Sequence, residues 1–290
     1  MTDSFRVACV QNNAGRDMAP NIAAVTDLVR AAVSAGAELV TLPEMVTMIE
    51  PEDSLVPGKA FAEEDDPGLA AFRGLAAEHG IWMLIGSLLI REPGGDGGRV
   101  VNRSFLLDSR GQIVARYDKI HLFDVDLPDG ESYRESATVR PGNRAVLAPT
   151  PWGLLGMSVC YDLRFAALYR ALAQGGAGFL AIPAAFTWTT GKAHWHVLVR
   201  ARAIETGSFV FAPTQCGVHA EGRRTFGHSL IVDPWGEVLA DAGEDTGFIT
   251  ADIDPAAVAA ARGRIPALDH DRPFEGPAPA SVTGRAREGG

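Results

Sequence analysis

The chain has 290 residues, 47% of them hydrophobic and 21% charged, with 32 glycines and 18 prolines, a globular composition that excludes disordered, collagenous and coiled-coil classes. Its formal charge of −10, from 36 acidic against 26 basic side chains, argues against a nucleic-acid partner, which would require a basic face. Cys9, Cys160 and Cys216 are scattered and form no CxxC pair or disulfide framework. The start MTDSFRVACVQ lacks a signal-peptide pattern, and no run of about 18 apolar residues offers a membrane span; a soluble cytoplasmic protein without a membrane partner is expected.

Strand-like and helix-like segments alternate from the beginning. Arg6 to Gln11 reads as a strand, and Ile22, Val25, Leu28, Val29 and Val33 then recur at helical spacing between Pro20 and Gly36. Glu38 to Leu42 is a buried strand stopped by Pro43, which leaves Glu44 at its carboxyl end. A helix around Leu69, Phe72 and Leu75 and a strand from Ile81 to Leu89 come next, then a loop of Pro93, Gly94, Gly95, Gly97 and Gly98. Arg103 to Leu107 and Gln112 to Tyr117 predict a hairpin turning at Asp108 to Gly111.

Further on come a strand from Leu154 to Val159, a helix near Leu168 and Leu172, a strand from Gly178 to Ile182, a helix from Ala193 to Glu205 and a strand from Ser208 to Ala212. Strands His228 to Val232, Glu237 to Ala240 and Gly247 to Asp252 close the pattern, the first two joined by a turn over Asp233 to Gly236. No linker divides the chain, so residues 1–270 read as one layered α/β domain with mixed sheets. In the tail, 271–290, Pro, Gly, Ala and charge replace periodic apolar residues, and partial disorder is expected.

The sharpest chemical feature is GMSVCYDLRF, Gly156 to Phe165, where an apolar strand runs into Cys160 and a helix comes after it. A thiol at a strand-to-helix turn is presented as a nucleophile presents itself, although free cysteine is commonly a small buried hydrophobe. It needs a base and a cation. None of the seven histidines, His121, His194, His196 and His228 among them, has a context that marks it as a base. Glu44 in TLPEM and Lys119 at the end of ARYDK stand at strand ends, where a carboxylate and an ammonium beside the thiol would supply a base and an oxyanion donor.

With LPEM, YDKIHLFD and CYDLRF in this order, the sequence resembles the nitrilase, or carbon-nitrogen hydrolase, superfamily and its Glu-Lys-Cys triad. The resemblance extends over RVACVQ, Pro183 to Thr206 and FGHSLIVDPWGEVLADAG, hence nearly the whole chain to about residue 270. It implies a four-layer α-β-β-α sandwich with two mixed β-sheets, dimerising through the helix after Cys160 and the helix from Ala193 to Glu205. It implies Glu44, Lys119 and Cys160 as the triad and Glu135, in YRES, as a second carboxylate that positions the lysine; neighbouring Glu131 is the weaker match. Glu44 would take the thiol proton, Cys160 attack the amide carbonyl, and Lys119 with the Tyr161 N–H hold the oxyanion; ammonia leaves and water cleaves the thioester.

Unperturbed glutamate and cysteine differ by about 4 pKa units, roughly 6 kcal/mol. Burial raising Glu44, and Lys119 with the helix start favouring thiolate, are expected to close that gap. CYDLRF departs from the CWE-type surroundings of nitrilases proper and resembles the amidase branches, most closely the group containing deaminated glutathione amidase and ω-amidase. That implies a small carboxylate-bearing amide as substrate and no cofactor or metal.

For the substrate, Tyr161, Arg164, Phe186, Thr187 and Trp188 are the candidate contacts, with Arg164 suited to a carboxylate or else to a salt bridge with Asp162. Arg223 and Arg224 read as solvated loop residues. N-carbamoyl amino acid hydrolase and nitrilase activities are the alternatives. A metal-dependent phosphoesterase using Asp162, His121, His228 and Asp233, and a catalytically silent scaffold, are alternatives of another class.

Overall fold

A computed structural model describes residues 4–92, 94, 98–128 and 130–276. The first half contributes β1 (Phe5–Gln11), α1 (Met18–Ser34), β2 (Leu39–Thr41), α2 (Val56–Lys59), α3 (Pro67–His79), β3 (Trp82–Arg91), β4 (Val100–Leu107), β5 (Ile113–Asp118), β6 (Asp124–Asp126) and β7 (Ser132–Arg134). The second contributes β8 (Val146–Thr150), β9 (Gly153–Met157), α4 (Ala166–Gln174), β10 (Ala177–Ala181), α5 (Trp188–Thr206), β11 (Phe209–Ala212), β12 (Cys216–Val218), β13 (Arg224–Phe226), β14 (Leu230–Val232), β15 (Val238–Asp241), β16 (Gly247–Ile253) and α6 (Ala256–Arg264). Local chemistry sets the ends. The Asp66 carboxylate accepts the Leu69 N–H at 2.8 Å and Pro67 opens α3, while Gly80 closes it in the left-handed region at φ 64°.

Two six-stranded sheets form, in the orders β16-β1-β2-β3-β4-β5 and β15-β14-β11-β10-β9-β8. Each has three central parallel strands, β1-β2-β3 and β9-β10-β11, flanked by antiparallel neighbours. Alternation along β1 shows the layering. Val7 and Cys9 join the core shared with Leu155, Met157 and Phe179 of the second sheet, whereas Ala8 and Val10 pack with Val25 and Val29 of α1 and Phe72 of α3. Tyr169 and Leu172 of α4 and Trp195 and Val199 of α5 cover the other sheet. The expected α-β-β-α sandwich of two mixed sheets is the fold.

The hairpin of β4 and β5 turns as expected, Asp108 Oδ1 accepting the Arg110 and Gln112 N–H groups at 2.9 and 2.8 Å. β4 begins at Val100, earlier than predicted, and α5 begins at Trp188 rather than Ala193. The sequence does not predict β6, β7, β8, β12, β13 and α6: the strands are short or polar, β8 carries Pro149 at a sheet edge, and no residue of α6 is fully buried. The tail starts tied down, with Arg170 of α4 paired to Asp271 at 2.8 Å; residues 277–290 of the expected disorder, and Pro93, Gly95 and Gly97 of the expected loop, lie outside the described residues. Among the described residues no helix is long and apolar enough to cross a membrane.

Candidate active site

Glu44 follows β2, Lys119 follows β5 and Cys160 follows β9, so three strand ends from the two facing sheets deliver three side chains to one place. Lys119 Nζ lies 2.8 Å from Glu44 Oε1, and 3.0 and 2.8 Å from the two oxygens of Glu135. The Cys160 thiol stands close enough to the Glu44 carboxylate and to Lys119 to feel both charges. Glu44, Lys119 and Cys160 are only 1, 2 and 7% exposed. All four predicted catalytic residues therefore meet in one pocket, which Glu135 also lines.

The backbone is bent to bring them there. Cys160 sits at φ 49°, a left-handed conformation that costs a non-glycine residue energy, and its N–H donates to Pro183 O at 2.8 Å. The chain leaves it through a five-residue 3-10 turn, Cys160–Arg164, ahead of α4, rather than through an α-helix starting at the thiol. Buried Asp162 holds that turn by accepting the Val159 N–H at 2.8 Å, the Tyr117 hydroxyl at 2.7 Å and the His121 N–H at 3.0 Å. On the glutamate side, the Ala185 N–H donates to Glu44 Oε2 at 2.9 Å, and Gln215 Nε2 donates to the Glu44 and Met45 carbonyls at 3.1 and 3.2 Å. Gly86 is where β3 passes this junction: a Cβ there would overlap the Leu42 carbonyl, Pro43 and Pro183.

Sequence reasoning missed Asn102. Its side-chain amide donates to Glu44 Oε1 at 3.0 Å and to Glu135 Oε1 at 3.2 Å, tying the two carboxylates together from within β4. A signal exists: one uncharged polar residue stands in an otherwise apolar start, VVN, of a buried strand. Gln215, flanked by Thr214 and Cys216, offers no such contrast.

Proton energetics differ from expectation. Burial does push Glu44 upward, but Lys119 and the donors on its oxygens outweigh that, and the carboxyl ends below its ordinary range. Burial and the Glu44 charge hold the Cys160 thiol well above the usual thiol range, and Lys119 only partly offsets them. Burial likewise opposes charge on Lys119, yet Glu135 and Glu44 hold its pKa well above normal. The resting site thus sets the Glu44 carboxylate and the Lys119 ammonium beside a neutral thiol, and the Glu–Cys gap is wider than in water. The reason is geometric: Lys119 lies against carboxylates, so its charge stabilises them in preference to a thiolate.

Of the predicted substrate contacts, Tyr161, Phe186 and Thr187 line the pocket and Arg164 and Trp188 do not. Arg164 stands over the rings of Phe186 and Tyr161, 5.2 and 5.8 Å from their centroids, with Nη1 3.3 Å from His194 Nδ1; Asp162 bonds Tyr117 and His121 instead of pairing with it. Trp188 opens α5 and stacks under Arg224 at 3.3 Å. Arg223 is the correction in the other direction. It lines the pocket, its guanidinium lies 5.4 Å from the Tyr133 ring centroid, and its Nε is shielded from water without an acceptor, which typically costs about 1–3 kcal/mol.

The ligands weighed for a phosphoesterase do not converge. His121 Nδ1 meets Asp162 at 2.7 Å, Asp233 caps its own turn by accepting the Trp235 and Glu237 N–H groups, and His228 joins Asp241 at 2.9 Å. His196 Nε2 also reaches Asp241, at 2.9 Å, so that His196, His228 and Asp241 link α5 to β15 and to the loop before β14, and none of the three lines the pocket.

Comparison with known proteins agrees with this geometry. The family model described as carbon-nitrogen hydrolase matches residues 6–263. A Synechocystis protein named deaminated glutathione amidase is 41% identical over 269 residues, covering 92% of this chain and 97% of its own. Among solved structures, the NitFhit protein of C. elegans superposes with a TM-score of 0.87 at 35% identity, over 93% of this chain and 66% of that longer one. A mutant of the amidase from Nesterenkonia sp. AN1, which carries the acetamide moiety of fluoroacetamide on its active-site cysteine, superposes with a TM-score of 0.76 at 25% identity, over 93% and 95% of the two chains. The chain belongs to the carbon-nitrogen hydrolase family and is an amidase-type enzyme of the nitrilase superfamily.

Proposed function

We propose that this enzyme hydrolyses the C–N bond of a small carboxylate-bearing amide through a thioester on Cys160, with an activity like that of deaminated glutathione amidase. The observation that carries the reading is the buried thiol lining one pocket with the carboxylate of Glu44, itself paired with Lys119. As Cys160 Sγ attacks the carbonyl carbon, Glu44 accepts the thiol proton. Because the resting thiol resists ionisation, transfer and attack proceed together. The negative charge that the Glu44 carboxylate gives up on protonation appears on the carbonyl oxygen, where Lys119 Nζ and the Tyr161 N–H receive it; one such donor is typically worth about 10²–10³ in rate.

Glu44 then returns its proton to the departing nitrogen, and the C–N bond breaks. With Glu44 again ionised, it takes a proton from water, whose oxygen attacks the thioester carbonyl and releases a carboxylic acid and the free thiol. General acid–base work of this kind is worth about 10²–10⁴ in rate. Glu135 and Asn102 keep the ammonium and the base in register. The substrate reading draws on the Synechocystis relative, which is 41% identical over 269 residues.

A panel of deaminated glutathione, α-ketoglutaramate, N-carbamoyl amino acids and simple nitriles tests it, with both amine and acid products followed. Turnover is expected to be highest on deaminated glutathione. Preference for α-ketoglutaramate would make it an ω-amidase, and preference for the carbamoyl compounds or nitriles would overturn the amidase assignment.

Assembly and location complete the proposal. On α5, Val197 and Ile204 are 68 and 55% exposed, and Ile204 abuts the turn bearing exposed Trp235; this apolar face suits a homodimer. The three cysteines are free, consistent with the reducing cytoplasm. The domain spans residues 1–270 in this reading, with 271–290 as its tail.

A further inference from the structure

We infer that Arg223 is the anchor for a substrate carboxylate lying several bonds from the scissile amide, so that the pocket selects extended anionic amides. The inference rests on the amidase reading and names what that site accepts. Three rings form one wall of the pocket: Tyr161, next to Cys160, lies 5.1 Å from Phe123, Phe123 lies 5.2 Å from Tyr133, and Arg223 sits 5.4 Å from the Tyr133 centroid. The wall therefore leads from the nucleophile to a guanidinium, each step about one ring wide.

Most of the other charges along this pocket are committed to partners within the chain. Lys119 is held by Glu44 and Glu135, and Arg134 is paired with Asp126 at 2.8 Å. Glu50 is neutralised by Arg16 at 2.8 Å and Lys59 at 2.5 Å. Arg223 has no carboxylate at salt-bridge distance among the described residues, and its Nε–H has no acceptor. Asp53, also on the lining, is close enough to Arg223 to be influenced electrostatically. A planar guanidinium stacked on Tyr133 and short of one acceptor is built to receive a carboxylate through its fork. A ligand with no acceptor at this point would leave that N–H unmet, and an uncharged one would leave the guanidinium without a counter-charge.

The test is binding to Cys160→Ala, which does not consume the ligand, and kinetics in the otherwise native enzyme. Deaminated glutathione, with a carboxylate at each end, is compared with the analogue in which both are carboxamides. Arg223→Gln is expected to weaken binding of the acid and raise its KM about 10–100-fold, against a change under about 3-fold for the carboxamide. Arg223→Lys, which keeps the charge and loses the fork, should fall between and serves if the glutamine variant does not fold.

Equal loss on both ligands, no loss on either, or no binding of the acid by Cys160→Ala overturns the anchor. The amidase reading is judged separately: hydrolysis of an uncharged amide by the Arg223-intact enzyme, dependent on Cys160, keeps that reading alive even if the anchor fails.

Discussion

The two ends of the pocket are built differently. Around Cys160, every charged group arrives from a strand end or has its hydrogen bonds filled: Lys119 touches two carboxylates, and Glu44 is held by Lys119, Asn102 and the Ala185 N–H. Around Arg223, the groups come from the 3-10 turn at Ala220–Gly222 and from β7, are partly exposed, and leave one N–H unmet. Fixing the reacting groups lowers the cost of reorganisation during reaction, while an unfilled donor waits for something the substrate brings. Rigid chemistry at one end and incomplete pairing at the other divide rate from recognition.

Breaking the rigid end should have the largest consequences. Lys119→Met is expected to lower kcat about 10²–10³-fold. It should also destabilise the fold by about 3–5 kcal/mol, because buried Glu44 and half-buried Glu135 lose their counter-charge; activity assays and denaturant unfolding check both. Lys119 is thus structural as well as catalytic. Gly86→Ala should cost about 1–3 kcal/mol by forcing β3 away from Leu42 and Pro183, with the loss of activity exceeding that of an equally destabilising substitution on α3.

Asn102→Leu removes a donor to both carboxylates and should reduce kcat about 10-fold, the worth of one hydrogen bond to a charged group. The pH profile carries the sharper signature. Glu44 is held low in the folded state, so its contribution to stability and its competence as base are present above the ordinary glutamate pKa and fade as pH falls through the folded value. Lys119 is held high, so its contribution is present below the ordinary lysine pKa and fades only as pH rises through its folded value. Wild-type kcat/KM should be flat through neutrality, and Asn102→Leu should move the acid limb to higher pH. An unmoved limb would mean that Asn102 does not tune the carboxylates. His121→Ala should be the mildest, under about 3-fold in kcat/KM, since His121 stacks on Phe165 at 3.5 Å and binds Asp162 outside the pocket lining.

The same contrast explains what the sequence revealed. Strand ends are legible: an apolar run stopped by Pro43, or running into Cys160, announces where a side chain will stand. Period-2 and helical spacing pointed to a layered α/β domain with mixed sheets, and the family resemblance alone implied its four layers. Arg223 and Tyr133 were illegible because their positions depend on turns and on the short polar strands β6 and β7, whose sequences carry no periodic apolar signal. Trp188 was misplaced for a related reason: α5 starts at Trp188, five residues ahead of its predicted start, and the indole meets Phe226, 5.7 Å away. The direction of the Glu44 and Cys160 shifts was also beyond the sequence, because it depends on which atoms Lys119 touches and not on its presence nearby.

The central claim is that Cys160, activated by Glu44, forms the covalent bond. Acid-quenching the working enzyme with its amide substrate and mapping the modified peptide by mass spectrometry addresses it directly. The account predicts an acyl group on Cys160, absent from Cys9 and Cys216, with neither adduct nor hydrolysis in Cys160→Ala. Sustained hydrolysis by purified, folded Cys160→Ala would contradict it.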